Sequence, residues 1–277
     1  MPPSLINNLR KVDRIIKDNQ GQQVMDLSRY SFIAPPTLLP ILQYMELHDI
    51  HKYRPHLATK SYLEKVLGKK KCTDTTIPLR KLKTFQYDDY FQVADRTELY
   101  LSDLTDEIVL LMHSHVDAQS VNVLFYEMLT NIYKHSYCEN AYILCQKYPT
   151  VNTIDICIID DGISIPGSFE QEGLEFTDDS EAIYEAINGR TTDKEKYNLH
   201  GRGLNTSANI TSLGFGEEML IASRNGVCTV NKKGVRTWKR KMPYIDGTFV
   251  TLRINTNKIK NIHEYIKHRE YMKNEID

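Results

Sequence analysis

Apolar residues at Leu5, Ile6, Leu9, Val12, Ile15 and Ile16 recur at helical spacing, and Gly21 ends the pattern. The chain is therefore expected to open with a helix over 5–17. Val24-Met-Asp-Leu27 has the length and apolar content of a short strand. Ala34-Pro35-Pro36-Thr37 halts regular structure and prepares a second helix over 38–47, with Thr37 as its N-cap. Ser61 and Glu64 stand at capping-box spacing and start a third, short helix. Lys69-Lys70-Lys71 after Gly68 reads as a solvated loop. The low-apolar stretch 68–84 is the expected boundary between an N-terminal region, 1–84, and the rest of the chain.

Beyond that boundary the pattern changes. Residues 104–136 predict two long helices with a break near 117–119. Ile154-Asp-Ile-Cys-Ile-Ile159 predicts a strand over 153–159. Residues 167–200 are polar and acidic, with one short helix near 180–187. Leu204–Leu213 is helical and ends at Gly214. Further strands are expected near 218–223, 226–231, 234–241 and 247–254, with hairpin turns at Asn225-Gly226 and Lys233-Gly234. Residues 258–277 carry a basic helix over 259–273. Helices, a strand, a polar loop, a helix and then an antiparallel meander give an α+β order. The expectation is a two-layer sandwich over 85–257, with a smaller α/β region before it.

Composition narrows the function without naming it. The net charge of -1 favours neither nucleic acid nor an anionic membrane. No apolar run approaches the roughly 20 residues of a membrane span. The N-terminus lacks the charged and apolar blocks of a secretion signal. The 5 cysteines form no CxxC pair and no metal-ligand spacing, which suits a reducing cytoplasm. Arg236-Thr-Trp238-Lys-Arg-Lys241 is basic enough to touch nucleic acid, yet it reads better as a strand edge protected by cations.

Candidate chemistry lies in four segments. Glu127, Asn131 and Lys134 share one face of a helix, at i, i+4 and i+7. Asparagine is a poor choice inside a helix unless its amide is needed. Its oxygen suits Mg²⁺, which takes one or two protein oxygens beside phosphate and water. Glu127 is placed to activate a water and Lys134 to meet phosphate. The plain alternative is a polar helix face. Asp160-Asp161-Gly162-Ile163-Ser164-Ile165 comes after a strand, so a carboxylate there can accept from an exocyclic amine. The same letters also make an ordinary Asp-Gly turn. His200-Gly201-Arg202-Gly203-Leu204 opens a helix, whose free N–H groups attract anions. It lacks the third glycine of a dinucleotide fingerprint, and the chain has no P-loop. Asp246-Gly247-Thr248 precedes the last strand.

In this order the four segments resemble the nucleotide site of the GHKL superfamily, which comprises gyrase, heat-shock chaperone, histidine kinase and mismatch-repair ATPases. The resemblance covers about residues 105–255. It implies a Bergerat-type fold, a mixed and mostly antiparallel sheet with helices on one face, and Mg-ATP as ligand. On these positions it implies that Asp160 holds the adenine amine and that Gly162 admits the base. Ile165, Gly201, Arg202, Gly203, Leu204 and Thr248 would line the site. Asn131 would hold Mg²⁺, Lys134 would meet phosphate, and Glu127 would be the catalytic base. Residues 167–200 would be the ATP lid, with Arg190 or Arg202 reaching the γ-phosphate. Two positions depart from the family pattern. Ser164 replaces a glycine, which a serine can do where the backbone angle is ordinary, and Asn205 replaces the last glycine of Gly-x-Gly-Leu-Gly.

An ATPase switch working on a protein partner, or through self-association, is the expected function. A Ser/Thr kinase of the anti-sigma type and a nucleotide sensor without turnover are the alternatives. No two-helix phosphoacceptor module of a histidine kinase is visible. Val24–Leu27 with Phe32–Leu39 also resembles the STAS domains that partner anti-sigma kinases. Their phosphorylated turn reads Ala34-Pro35-Pro36-Thr37 here, without a phosphoacceptor. The same segments read equally well as an unrelated α/β cap.

Overall fold

The computed structural model describes residues 3–70, 75–82, 102–104, 106–108, 110, 128–129, 131–132, 136–190, 203–212, 216–239 and 242–255. The elements in chain order are α1 (Leu5–Asp18), β1 (Val24–Leu27), α2 (Pro35–Leu47), β2 (Lys52–Pro55), α3 (Leu57–Val66) and β3 (Thr76–Lys81). They continue with β4 (Ala141–Tyr148), β5 (Thr153–Asp160), α4 (Ile165–Gln171), α5 (Asp179–Ile187) and α6 (Gly203–Ser212). The chain then runs through β6 (Gly216–Arg224), β7 (Gly226–Asn231), β8 (Gly234–Thr237) and β9 (Ile245–Asn255).

Seven strands form one sheet in the order β3-β4-β5-β9-β6-β7-β8, and each neighbouring pair is antiparallel. The sheet is thus not mixed as expected; the parallel pairing among the described residues is β1 with β2, in a small separate sheet. The chain is α+β.

Period-2 alternation sends side chains to two cores. Ile154, Ile156 and Ile158 of β5, Val250, Leu252 and Ile254 of β9, and Met219 and Ile221 of β6 join one core. That core also holds Leu104, Ile108, Met128, Leu129, Ile132, Ile183, Ile187, Ala208 and Ile210. Cys157 and Ile159, Leu220 and Ala222, and Phe249 face the other core, with Leu5, Leu9 and Val12 of α1, Leu38 and Ile41 of α2, and Leu63 and Val66 of α3. Helices therefore cover both faces, where a sheet with one helical face is expected. The N-terminal helices form the second layer. This explains why β5 reads as a nearly continuous apolar run: with both faces covered, all of its residues are buried. The stretch 68–84, expected as a boundary, contributes edge strand β3 to the same sheet.

Several element bounds differ from expectation for local reasons. α2 begins at Pro35, since a proline in the first turn forfeits no helical hydrogen bond. Thr37 is consequently inside the helix and buried, its hydroxyl donating to the Asn8 carbonyl (3.2 Å) and shared with Asn8 Oδ1 (3.0 Å). α3 begins ahead of Ser61, at Leu57, because the His56 ring accepts from the Ala58 N–H at 3.0 Å. β8 ends at Thr237, short of 241. β2, β3, β4 and α4 are additional to the predicted elements. β2 (Lys-Tyr-Arg-Pro) carries too little apolar pattern to predict, and α4 hides behind Pro166 and Gly167. Most of the two helices expected over 104–136, and the helix expected over 259–273, lie outside the described residues. Among the described residues no helix is long and apolar enough to cross a membrane.

One buried ion pair ties the layers. Asp155 on β5 and Arg253 on β9 face each other in register and bond bidentately, at 2.6 and 2.8 Å. Arg253 Nη1 also donates to the Pro3 carbonyl (2.7 Å), and Glu218 on β6 accepts from the Leu5 N–H (2.8 Å) at the start of α1. Both contacts seat the N-terminal helix on the sheet.

Candidate functional site

Three adjacent strands place a row of polar side chains at one end of the sheet. Asp160 ends β5, Thr248 lies opposite it on β9, and Ser223 lies opposite Thr248 on β6. By alternation all three share the face that carries Leu129, Ile132 and α6. Ser223 Oγ donates to the Gly247 carbonyl at 2.7 Å, accepts from the Ile165 N–H at 3.0 Å and lies 3.2 Å from Thr248 Oγ1. One hydroxyl thus ties the start of α4 to the start of β9.

Asp160 is buried, with 5% of its surface exposed, and desolvation pushes its carboxyl up to about 7. The neighbouring Asp161 adds to the rise, while the Gly162 and Thr248 N–H groups oppose it. Gly162 N donates to Asp160 Oδ1 at 2.9 Å. A buried carboxylate that keeps accepting capacity beside two backbone donors suits a ligand N–H.

Two glycines set how closely the backbone packs here. A Cβ on Gly162 would sit 2.1 Å from the Ser136 carbonyl oxygen, and that oxygen already accepts from the Ile163 N–H at 2.8 Å. A Cβ on Gly247 would sit 2.1 Å from the Asp160 carbonyl oxygen, and Gly247 has φ +79. Ser164, by contrast, has φ 73 and ψ 162, a region that glycine alone occupies readily. The condition on which a serine would replace the glycine, an ordinary backbone angle, is not met: the turn has a glycine's backbone and a serine. The compensation is a cap, for Ser164 Oγ accepts from the Gly167 N–H at 3.0 Å and starts α4.

Ile165 is the first residue of α4 and packs against the core beneath the site. Gly203 is the first residue of α6, and Leu204 packs against the same core. Asn131 is half-buried in a helical segment between buried Leu129 and Ile132. Glu127, Lys134, Gly201 and Arg202 lie outside the described residues. The structure therefore brings Asp160, Gly162, Ile165 and Thr248 together. Asn205, where the resemblance would have a glycine, donates its amide to the Ile187 carbonyl at 2.8 Å and so caps α5 from α6.

The expected lid is an ordered layer over 167–190. α4 buries Phe169, and α5 buries Ala182, Ile183 and Ile187 against the sheet. Arg190 stacks 5.7 Å from the Phe169 ring and donates to the Glu175 carbonyl at 3.4 Å. Burial of an amphipathic face, not polarity, decides this segment. Residues 191–202 lie outside the described residues.

Ser223, Gly247 and Gln43 belong to the site's frame but were not among the expected site residues. Gly247 stands inside the Asp246-Gly247-Thr248 motif. Ser223 and Gln43 carry no local signal, because their partners are remote in sequence. No protein-family model matches the chain, and no curated protein matches it significantly.

Proposed function

We propose that the chain binds Mg-ATP with adenine at Asp160 and hydrolyses it as a conformational switch. The observation that carries this reading is the Asp160 corner. There a buried carboxylate ends a central strand, opposite Thr248 and beside Gly162 and Gly247, neither of which has room for a side chain. Above about pH 7, where Asp160 is ionised, its carboxylate accepts hydrogen bonds and donates none, so it favours the 6-amino group of adenine over the 6-oxygen of guanine. The GHKL resemblance of the four segments supports the same assignment.

Asn131 supplies one side-chain oxygen. Among the described residues no group of three or more His, Cys, Asp or Glu is placed to hold a metal ion. A Mg²⁺ carried on the triphosphate suits such a site, since it keeps waters and phosphate oxygens as most of its ligands. When bound, the ion would neutralise charge on the phosphates. Glu127 would orient and deprotonate the attacking water, and Lys134 would hold phosphate as a point charge.

Incubation with Mg²⁺ and γ-labelled ATP, with Asp160→Asn as control, tests this. Free phosphate from the wild type and none from the control is expected. Glu127→Ala should bind ATP and fail to release phosphate. Equal ATP affinity of wild type and Asp160→Asn by calorimetry would overturn the adenine role. Label retained on protein would replace hydrolysis by phosphoryl transfer.

A further inference from the structure

Gln43 carries the N-terminal layer to the backbone of the candidate site. Gln43 on α2 is buried, with 6% exposed. Its Nε2 donates to the Asp160 carbonyl at 2.9 Å and to the Asp246 carbonyl at 3.0 Å. These carbonyls mark the point where β5 ends and β9 begins, the two strands that carry Asp160 and Thr248. Both amide hydrogens are used, one on each strand. Nearby the backbones touch, since Gly247 lies against the Asp160 carbonyl and the Gly162 N–H. One turn along α2, Glu46 accepts from the Tyr142 hydroxyl on β4 at 2.6 Å. The helix is thereby held against three consecutive strands, from the face opposite the row of Asp160, Thr248 and Ser223.

We propose that Gln43 is a positioning residue of the nucleotide site: it fixes the Asp160 and Gly247 backbones from behind and couples the N-terminal helices to base recognition. The proposal rests on the nucleotide reading above. Removing the amide takes one donor from the buried Asp160 carbonyl and one from the part-buried Asp246 carbonyl, which favours movement of the very segments that aim the Asp160 carboxylate. Coupling is reciprocal, so a ligand that orders the Asp160 corner tightens α2 on the sheet. The N-terminal region is then part of the site's machinery and not a passive cover.

The test compares calorimetric affinities for Mg-ATP and Mg-GTP in the full chain, in Gln43→Met and in Thr37→Val. The last removes a buried hydrogen bond of the same layer, made to Asn8 on α1 and not to the strands of the site. Gln43→Met should weaken ATP about tenfold and GTP little, so that adenine preference collapses. Thr37→Val should lower the melting temperature and keep the preference. Gln43→Asn, polar but one methylene too short to span both carbonyls, covers the case in which the methionine variant does not fold, and should show the same loss of preference. A folded Gln43 variant with unchanged ATP:GTP preference overturns this proposal alone. A wild type that does not bind ATP overturns the nucleotide reading and this proposal with it.

Discussion

The carboxyl of Asp160 makes a prediction that needs no ligand. Burial raises it from the ordinary aspartate value of 3.8 to about 7. The folded chain therefore holds a proton that the unfolded chain has released, at every pH between those values. Stability then falls as pH rises through that window, because the unfolded state binds fewer protons. The full gap corresponds to ~4 kcal/mol. Urea denaturation at pH 5 and pH 8 samples most of it, and ~2–3 kcal/mol of stability should disappear between them on account of this one group. Asp160→Asn keeps the shape and an oxygen for the Gly162 and Thr248 N–H groups, but it cannot ionise. Its own amide hydrogens cost ~1–3 kcal/mol where they lack partners, a penalty that does not change with pH. The discriminating quantity is therefore the difference in pH slope, and the variant should be the flatter of the two by that ~2–3 kcal/mol. Equal slopes would show that the Asp160 carboxyl is not desolvated as the structure has it, and the physical case for a specialised acceptor would go with it.

Ser164→Gly should stabilise the protein by ~1 kcal/mol, since relief of the strained angle outweighs the few tenths lost when glycine replaces a serine cap. Ser164→Ala, which keeps the strain and loses the cap, should destabilise by a similar amount, and thermal melts of the pair separate the two effects. Asp155→Ala should cost ~3–5 kcal/mol, because it strands the buried Arg253 guanidinium, whereas Asp155→Leu with Arg253→Leu should recover much of that in denaturant titrations. A single Asp155 variant as stable as the wild type would show that the pair is solvated.

Much of the fold could be read along the chain. The periodicity of α1, the apolar run of β5, the hairpin glycines at Gly226 and Gly234 and the amphipathic α5 all express local rules, so their places agree with the sequence. So does the Asp160-Gly162 corner, because a strand end and the glycine turn after it are written in neighbouring residues. What local pattern left open was decided by partners far away. Ser164 keeps a glycine's backbone angle only because the β5 end, Ser136 and Ser223 hold the turn on all sides. The segment 167–190 is polar in composition, yet it packs because Phe169, Ile183 and Ile187 find the sheet. Asp155, a charge inside an apolar strand, is tolerated only because Arg253 arrives opposite it from 98 positions along the chain. Local pattern was enough to place α1, α5, β5 and the carboxylate at a strand end, but not β2, β3, β4 or α4. The covering of the sheet's second face by the N-terminal helices, and the reach of Gln43 to the Asp160 carbonyl, came from long-range packing. A side-chain pattern records whether a face is buried, and the burying partner, being remote in sequence, leaves no mark on it.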